Sequence, residues 1–112
     1  MSLVHEQHLF LQDVTRLLTL AWSHGFEVTG GELYRTKEQQ EIYVKSGRSM
    51  TMASNHLRRL AIDLQFFKNG LWIQKKAELQ ELGDYWESLN PKNRWGGNWV
   101  SFADLPHFER NV

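Results

Sequence analysis

The chain has 112 residues, and its 13 lysines and arginines balance its 13 aspartates and glutamates. This length fits one domain around one core, and a balanced charge argues against a dedicated nucleic-acid binder, which normally carries a basic excess. Because the sequence has no cysteine, it excludes disulfide frameworks, thiolate zinc sites and cysteine nucleophiles. No apolar run is long enough to cross a bilayer or to resemble a secretory signal.

Two helices are predicted in the first half of the chain. Apolar residues recur at helical spacing over about residues 5–24, and Gly25 ends this first helix. Its apolar stripe consists of Phe10, Val14, Leu17 and Ala21. Strand pieces are predicted at residues 26–28 and 33–34, on either side of a glycine turn. Thr36 is the predicted N-cap of the second helix, which continues through Lys45.

A hairpin and a third helix are predicted in the second half. Residues 48–56 show no periodicity and are predicted to form a loop. Apolar and polar residues then alternate over 60–67, and Asn69-Gly70 predicts a tight turn into a returning strand at 71–73. Apolar residues at three- and four-residue steps predict a helix over 75–89.

Two features complete the fold prediction. Gly83 is the weak point of the third helix, because glycine costs about 1 kcal/mol against alanine there, and the sequence allows a break at this position. Residues 99–109 are predicted to be extended. Since the strands are joined by hairpins rather than by helical crossovers, we expect an α+β fold with a small antiparallel sheet and about three helices. Residues 1–112 are expected to form a single domain.

An aspartate and a histidine in the middle of the chain are candidate metal ligands. Asp63 lies between two apolar residues of the predicted strand, where aspartate is unfavourable. Alone, such an aspartate usually faces solvent, and a loop histidine such as His56 is usually solvated or hydrogen-bonded. Together, a histidine from a loop and a carboxylate from the following strand suit zinc or a similar cation.

A second candidate group lies near the C-terminus. Pro106 stiffens the segment from Asp104 to Glu109, so that His107 can hold a metal while the Asp104 carboxylate takes a proton from water. In isolation, the same segment is more typical of a turn whose histidine caps a strand end. Two histidines and one aspartate with an open fourth position are typical of catalytic zinc rather than structural zinc.

Three segments resemble one known family. Residues 54–63 resemble the Ser-x-His-x-x-Gly-x-Ala-x-Asp signature of zinc D,D-carboxypeptidases and L-alanyl-D-glutamate endopeptidases. The segment 95–108 is similar to the closing segment of that family, and residues 34–48 resemble its Arg…Gln…Gly-Arg stretch. The similarity covers roughly residues 26–109 in the family's order. It implies the small α+β fold that this family shares with the hedgehog signalling domain.

The resemblance implies roles for individual residues. It makes His56, Asp63 and His107 the ligands of a Zn²⁺ ion and Asp104 the catalytic base. It assigns to Arg35 a contact with the substrate that helps to stabilise the developing oxyanion.

Three further positions are candidate substrate-binding residues. Ser54 matches the polar position that opens the family signature. Arg48 and Arg59 lie near the first ligand in sequence, where they either receive carboxylates of the substrate or belong to a solvated basic loop. Arg59 also stands where the signature has glycine, which predicts a change in the turn or in the substrate rim. Asn98 stands where a carboxylate is frequent among relatives, a milder departure.

The implied function is that of a zinc metallopeptidase acting on the stem peptide of bacterial peptidoglycan. In compactness and in the Asp-x-Pro-His form the chain resembles L-alanyl-D-glutamate endopeptidases of phage-endolysin type more than D-alanyl-D-alanine carboxypeptidases, so the resemblance implies the former activity. A non-catalytic zinc- or cell-wall-binding module of the same fold is an alternative, and a nucleic-acid binder using residues 45–59 is a weaker one. We expect a monomer without membrane attachment, made in the cytoplasm without a signal peptide and released to the cell wall as in phage lysis.

Overall fold

The computed structural model of the protein describes residues 2–112. The three α-helices are α1 (Leu3–Ser23), α2 (Lys37–Lys45) and α3 (Lys76–Leu89). The strands are β1 (Glu27–Gly30), β2 (Ala61–Lys68), β3 (Leu71–Trp72), β4 (Asn93–Trp95) and β5 (His107–Arg110). Short 3-10 helices span Asn55–Arg58 and Gly96–Asn98. Within the described residues, no helix is long and apolar enough to cross a membrane.

The strands form one antiparallel sheet in the order β1-β2-β5-β4, and β3 pairs with the end of β2. This arrangement confirms the predicted α+β fold with three helices and a small antiparallel sheet. In the register of β2 against β5, Asp63 lies directly opposite His107. Opposite residues of an antiparallel pair point to the same face of the sheet. The pairing therefore brings two candidate ligands together from distant parts of the chain.

The core lies between the sheet and the helices α1 and α3. Phe108 is fully buried at its centre and contacts the rings of Phe66, Trp86 and Trp95 at centroid distances of 5.9, 5.9 and 6.3 Å. Phe10 of α1 adds an edge-on contact to Trp86 at 5.6 Å. Such rings fill a small core at low cost in side-chain entropy. The tryptophans of this core are thus packing residues, whereas other aromatic side chains remain exposed.

Helix α3 continues without a break through Gly83, so the break that the sequence allowed at this position does not occur. A Cβ atom on Gly83 would lie 2.0 Å from the ring of Trp95. The glycine therefore serves close packing of the helix against this tryptophan, and that contact outweighs its low helix propensity.

One predicted extended segment is absent, and another is shorter than expected. The chain at 33–34 forms no strand, because its backbone bonds to the His56 segment instead: the Arg35 N–H donates to the His56 carbonyl at 3.1 Å. In the C-terminal segment only β5 is a strand. The preceding chain turns back on itself, with the Asp104 N–H donating to the Gly96 carbonyl at 2.9 Å.

Candidate metal centre and active-site cleft

Three side chains from three different elements converge at one point. His56 lies on the first 3-10 helix, Asp63 on β2 and His107 at the start of β5. One ligand atom from each lies within 4.8 Å of the other two. Asp63 Oδ1 is 3.3 Å from His56 Nε2 and 3.7 Å from His107 Nδ1. The structure thus brings together the three residues that the sequence suggested as ligands.

The donor atoms of this cluster fit a zinc ion. His56 Nε2 and Asp63 Oδ1 are both buried and have no hydrogen-bond partner, although they are only 3.3 Å apart. Leaving a buried polar atom unpaired costs about 1–3 kcal/mol, so such atoms usually serve another purpose. Two imidazole nitrogens and one carboxylate oxygen that point at a common centre match the ligand set of catalytic zinc.

Further hydrogen bonds fix which nitrogen of each imidazole faces the centre. His56 Nδ1 is 3.0 Å from the Leu33 carbonyl, which can only accept, so Nδ1 carries the proton and Nε2 is free as a ligand. His107 Nε2 lies 2.7 Å from Glu109 Oε1, which leaves Nδ1 for the centre. Glu109 is held in turn by Arg94, whose Nε donates to Oε2 at 2.8 Å. Partners of this kind orient metal-binding histidines.

Glu109 was not among the residues suggested by the sequence. The available signal was its position two residues after His107 on the same strand, which places both side chains on one face of the sheet. The cross-strand neighbour Arg94 lies opposite it in β4. The Arg94–Glu109 pair therefore orients His107 through Nε2, the ring nitrogen that faces away from the metal centre.

The buried charges shift the pKa values of these groups strongly. Burial lowers the pKa of His107, but the nearby Asp63 carboxylate and the hydrogen bond to Glu109 outweigh it and raise the pKa to about 9. Burial raises the pKa of Glu109, but hydrogen bonds from His107 and Arg94 lower it to about 2. For Asp63, burial is likewise outweighed by the two imidazoles of His107 and His56 beside it, and its pKa falls well below the usual range. Both carboxylates are therefore charged at neutral pH.

Zinc uptake by the metal-free protein is expected to release close to one proton from His107 near pH 7. Because the pKa of His107 is raised to about 9, its ring is protonated there, and a metal binds only the neutral ring. Below this pKa, zinc affinity is expected to rise about tenfold per pH unit, and to level off above it. Calorimetric titration in buffers of different ionisation enthalpy measures the proton count. Affinity independent of pH between 7 and 9 would contradict this account of His107.

Asp104 lies beside the ligand cluster without belonging to it. Its Oδ2 atom is 4.0 Å from His107 Nδ1, and its side chain is 38% exposed, so solvent and substrate can reach it. Burial raises the pKa of this carboxyl above its usual value, in part against the charge of His107. A partly accessible carboxylate of raised pKa is suited to accept and return a proton.

His56 and His107 of the cluster line a cleft of about 320 Å³. Arg35, Arg48 and Ser54 all line this cleft, together with Trp99, Phe102 and Asp104. Arg35 is paired with Glu32 and donates through its NH1 group to Gln40 at 2.7 Å, which fixes its orientation.

Of the three arginines that line the cleft, Arg35 and Arg94 are paired with glutamates, and Arg48 is the most available for a ligand. Its guanidinium lies over the ring of Tyr43, 4.7 Å from the centroid, and that of Arg35 lies 4.6 Å from the same ring. Arg48 forms no ion pair with any residue between 2 and 112. A cation held by an aromatic face without an acidic partner can accept a carboxylate from a ligand.

Arg59 lies outside the lining of this cleft. It ends the first 3-10 helix in the left-handed conformation (φ 55°), and its guanidinium lies 4.3 Å from the centroid of the Tyr34 ring. Left-handed backbone favours glycine, which explains why the signature has glycine at this position. The other departure, Asn98, donates its amide to Glu87 of α3 at 3.1 Å.

Arg59→Gly is expected to be more stable than Arg59→Ala by about 1 kcal/mol. Both variants lose the contact with Tyr34, but only glycine relieves the left-handed backbone at φ 55°. Chemical denaturation of the two variants measures the difference directly. An alanine variant as stable as the glycine variant would show that the backbone here is not strained.

The sequence profile of the D-alanyl-D-alanine carboxypeptidase family (peptidase M15_4) matches residues 47–110, more than half of the chain. The chain belongs to this peptidase family, which confirms the resemblance seen in its sequence. It is 35% identical to the L-alanyl-D-glutamate peptidase of Listeria phage A118, over 86% of this chain and 34% of that protein. The chain thus spans about a third of the length of that relative.

The fold has a counterpart among solved structures. The crystal structure of the L-Ala D-Glu endopeptidase ChiX of Serratia marcescens superposes with a TM-score of 0.69 at 24% sequence identity. The superposition covers 89% of this chain and 79% of that chain. At this level of identity the likeness establishes the fold alone, and it agrees with the predicted architecture.

Proposed function

We propose that this chain is a zinc-dependent peptidase that cleaves the bond between L-alanine and D-glutamate in the peptidoglycan stem peptide. The observation that carries the proposal is the convergence of His56, Asp63 and His107 beside a cleft that is also lined by Asp104. The choice of bond is supported by the similarity to the phage L-alanyl-D-glutamate peptidase.

Asp104 is the proposed catalytic base. A zinc ion held by His56, Asp63 and His107 would supply Lewis-acid polarisation of the substrate carbonyl and activation of water. Asp104 takes a proton from the attacking water and returns it to the nitrogen of the leaving amine. Its raised pKa supports both transfers, because a carboxyl whose pKa is closer to neutral pH is a stronger base and can still release the proton to the leaving amine.

The cleft arginines have separate proposed roles. Arg35 stabilises the negative charge that develops on the carbonyl oxygen, and its bonds to Glu32 and Gln40 hold it ready for this task. Arg48, which has no acidic partner within the described part of the chain, binds a carboxylate of the stem peptide. Ser54 also helps to hold Arg35, because the NH1 group of Arg35 donates a hydrogen bond to the Ser54 hydroxyl at 3.4 Å.

We further propose that residues 1–112 act as one catalytic domain, as a monomer, on the cell wall. One continuous core of α1, the sheet and α3 supports a single domain. The zero net charge supports a substrate other than nucleic acid.

Digestion of purified peptidoglycan by the zinc-loaded protein tests the proposed activity. Mass spectrometry of the products is expected to show new amino-terminal D-glutamate, absent with Asp104→Ala and present with Asp84→Ala, an exposed aspartate on α3 outside the cleft. Release of free D-alanine would instead assign a D-alanyl-D-alanine carboxypeptidase, the activity in the family's description. No new terminus of either kind would leave a non-catalytic module of this fold.

A further inference from the structure

We propose that a second subsite beside the active-site cleft binds the sugar that bears the stem peptide, with the ring of Trp72 as its platform. The inference rests on the proposed peptidase function and extends it from the peptide to the glycan strand.

A second cavity adjoins the first at Asp104, which lines both. It has a volume of about 220 Å³ and lies between the β2–β3 hairpin, the start of α3 and the loop before β5. Its polar lining includes Gln65 and Gln74, and its apolar lining includes Trp72, Leu64, Phe66 and Leu79. The two cavities therefore share the proposed catalytic base as a lining residue.

The strand register places Gln65 and Trp72 on the same face of the sheet as the metal centre. Along β2, Asp63 and Gln65 are two residues apart and so share one face. Trp72 of β3 pairs with Phe67, which lies on that face as well. The indole Nε1 of Trp72 donates to Gln65 Oε1 at 2.9 Å, which confirms that the two side chains meet there.

Trp72 differs from the tryptophans of the core. Trp86 and Trp95 are fully buried, whereas Trp72 is 50% exposed and is held in one orientation by Gln65. A fixed, half-exposed indole presents a flat apolar surface at little further entropy cost. With its oxygen engaged by Trp72, the Gln65 side chain has its N–H donors available for a ligand.

The chemistry of the lining favours a sugar over the charged part of the stem peptide. Apart from Asp104, the residues that line the second cavity are uncharged, whereas the first contains Arg35 and Arg48. A pyranose ring has an apolar face of C–H groups and a rim of hydroxyl and amide groups, which matches an indole flanked by side-chain amides. In peptidoglycan, the L-alanine before the proposed scissile bond is attached to muramic acid. The sugar is thus separated by about one residue from the carbonyl of the proposed scissile bond, next to which Asp104 lies.

Two substrates separate the sugar contact from the peptide contacts: a stem tripeptide with an N-acetylmuramyl group on its L-alanine, and the same tripeptide with an acetyl group there. We expect the wild-type protein to prefer the muramyl substrate. Trp72→Ala is expected to raise KM for the muramyl substrate about 5- to 10-fold, with kcat and the acetyl substrate unaffected. Trp72→Phe, which keeps an aromatic face, retains most of the preference. Leu71→Ala is the control, because Leu71 is also exposed in β3 but points to the opposite face.

The proposal is overturned if Trp72→Ala slows both substrates equally, which would mean a structural role, or changes neither. If the wild-type protein cleaves neither substrate, the proposed peptidase function fails, and binding alone then decides the sugar site. In that case the Trp72 indole N–H signal in NMR spectra, assigned by its absence in Trp72→Ala, is followed during titration with N-acetylmuramyl-L-alanine. A saturable shift supports the subsite. No shift, or an equal shift with acetyl-L-alanine, overturns it.

Discussion

Replacing Asp104 with asparagine is expected to lower kcat by about 10³-fold while the zinc content stays at the wild-type level. The amide is nearly the same size as the carboxylate but cannot accept a proton from the attacking water, and general-base catalysis contributes about 10²- to 10⁴-fold. Zinc is retained because Asp104 lies outside the cluster of three converging ligand atoms. Initial rates on a stem peptide, combined with elemental analysis of the same sample, measure both quantities.

Asp84→Asn is the matched control for this experiment. Asp84 is an exposed aspartate on α3, so its amide variant is expected to keep full activity. An Asp104→Asn protein with more than a tenth of the wild-type rate would remove Asp104 from the role of base. Loss of zinc together with activity would make Asp104 a ligand instead.

Replacing Gly83 with alanine is expected to destabilise the fold by about 3 kcal/mol. Helix propensity alone predicts the opposite sign, since alanine is favoured over glycine in a helix by about 1 kcal/mol. The added Cβ would lie 2.0 Å from the ring of Trp95, which is fully buried and cannot move without disturbing Phe108. The free energy of unfolding from urea denaturation measures the effect.

Gly30→Ala provides the comparison at an uncrowded glycine. A Cβ atom on Gly30 meets no other atom within 4 Å, so this change is expected to alter stability by less than about 1 kcal/mol. A Gly83→Ala protein more stable than wild type would show that helix propensity, rather than packing against Trp95, governs this position.

Sequence patterns predicted the elements whose signals are local. The helical spacing of Phe10, Val14 and Leu17 and the alternation along β2 depend on burial of one face, and the structure buries that face in both cases. The same alternation placed Asp63 on the opposite face from the core. The convergence of His56, Asp63 and His107 was predictable because these residues lie in short segments that resemble the family's motifs.

Contacts between distant segments were not predictable from one sequence. Glu6 of α1 lies buried against Arg110 of β5, with Arg110 Nε donating to Oε2 at 2.6 Å, and neither residue has a neighbour in sequence that signals the pair. Gly83 was predicted to be a weak point because glycine is unfavourable in helices. Its packing against Trp95 could not be predicted, since Trp95 lies beyond the end of the helix. Strand β4 has three residues, too few for a periodic pattern.

Elemental analysis of the purified protein tests the metal centre most directly. We expect one zinc ion per wild-type chain, lost in His56→Ala and His107→Ala and retained in His8→Ala, which changes an exposed histidine of α1. Circular dichroism confirms that the variants remain folded. A wild-type protein that contains no zinc and takes up none when it is added, or ligand variants that bind as much zinc as wild type, would contradict the assignment of this cluster as a zinc site.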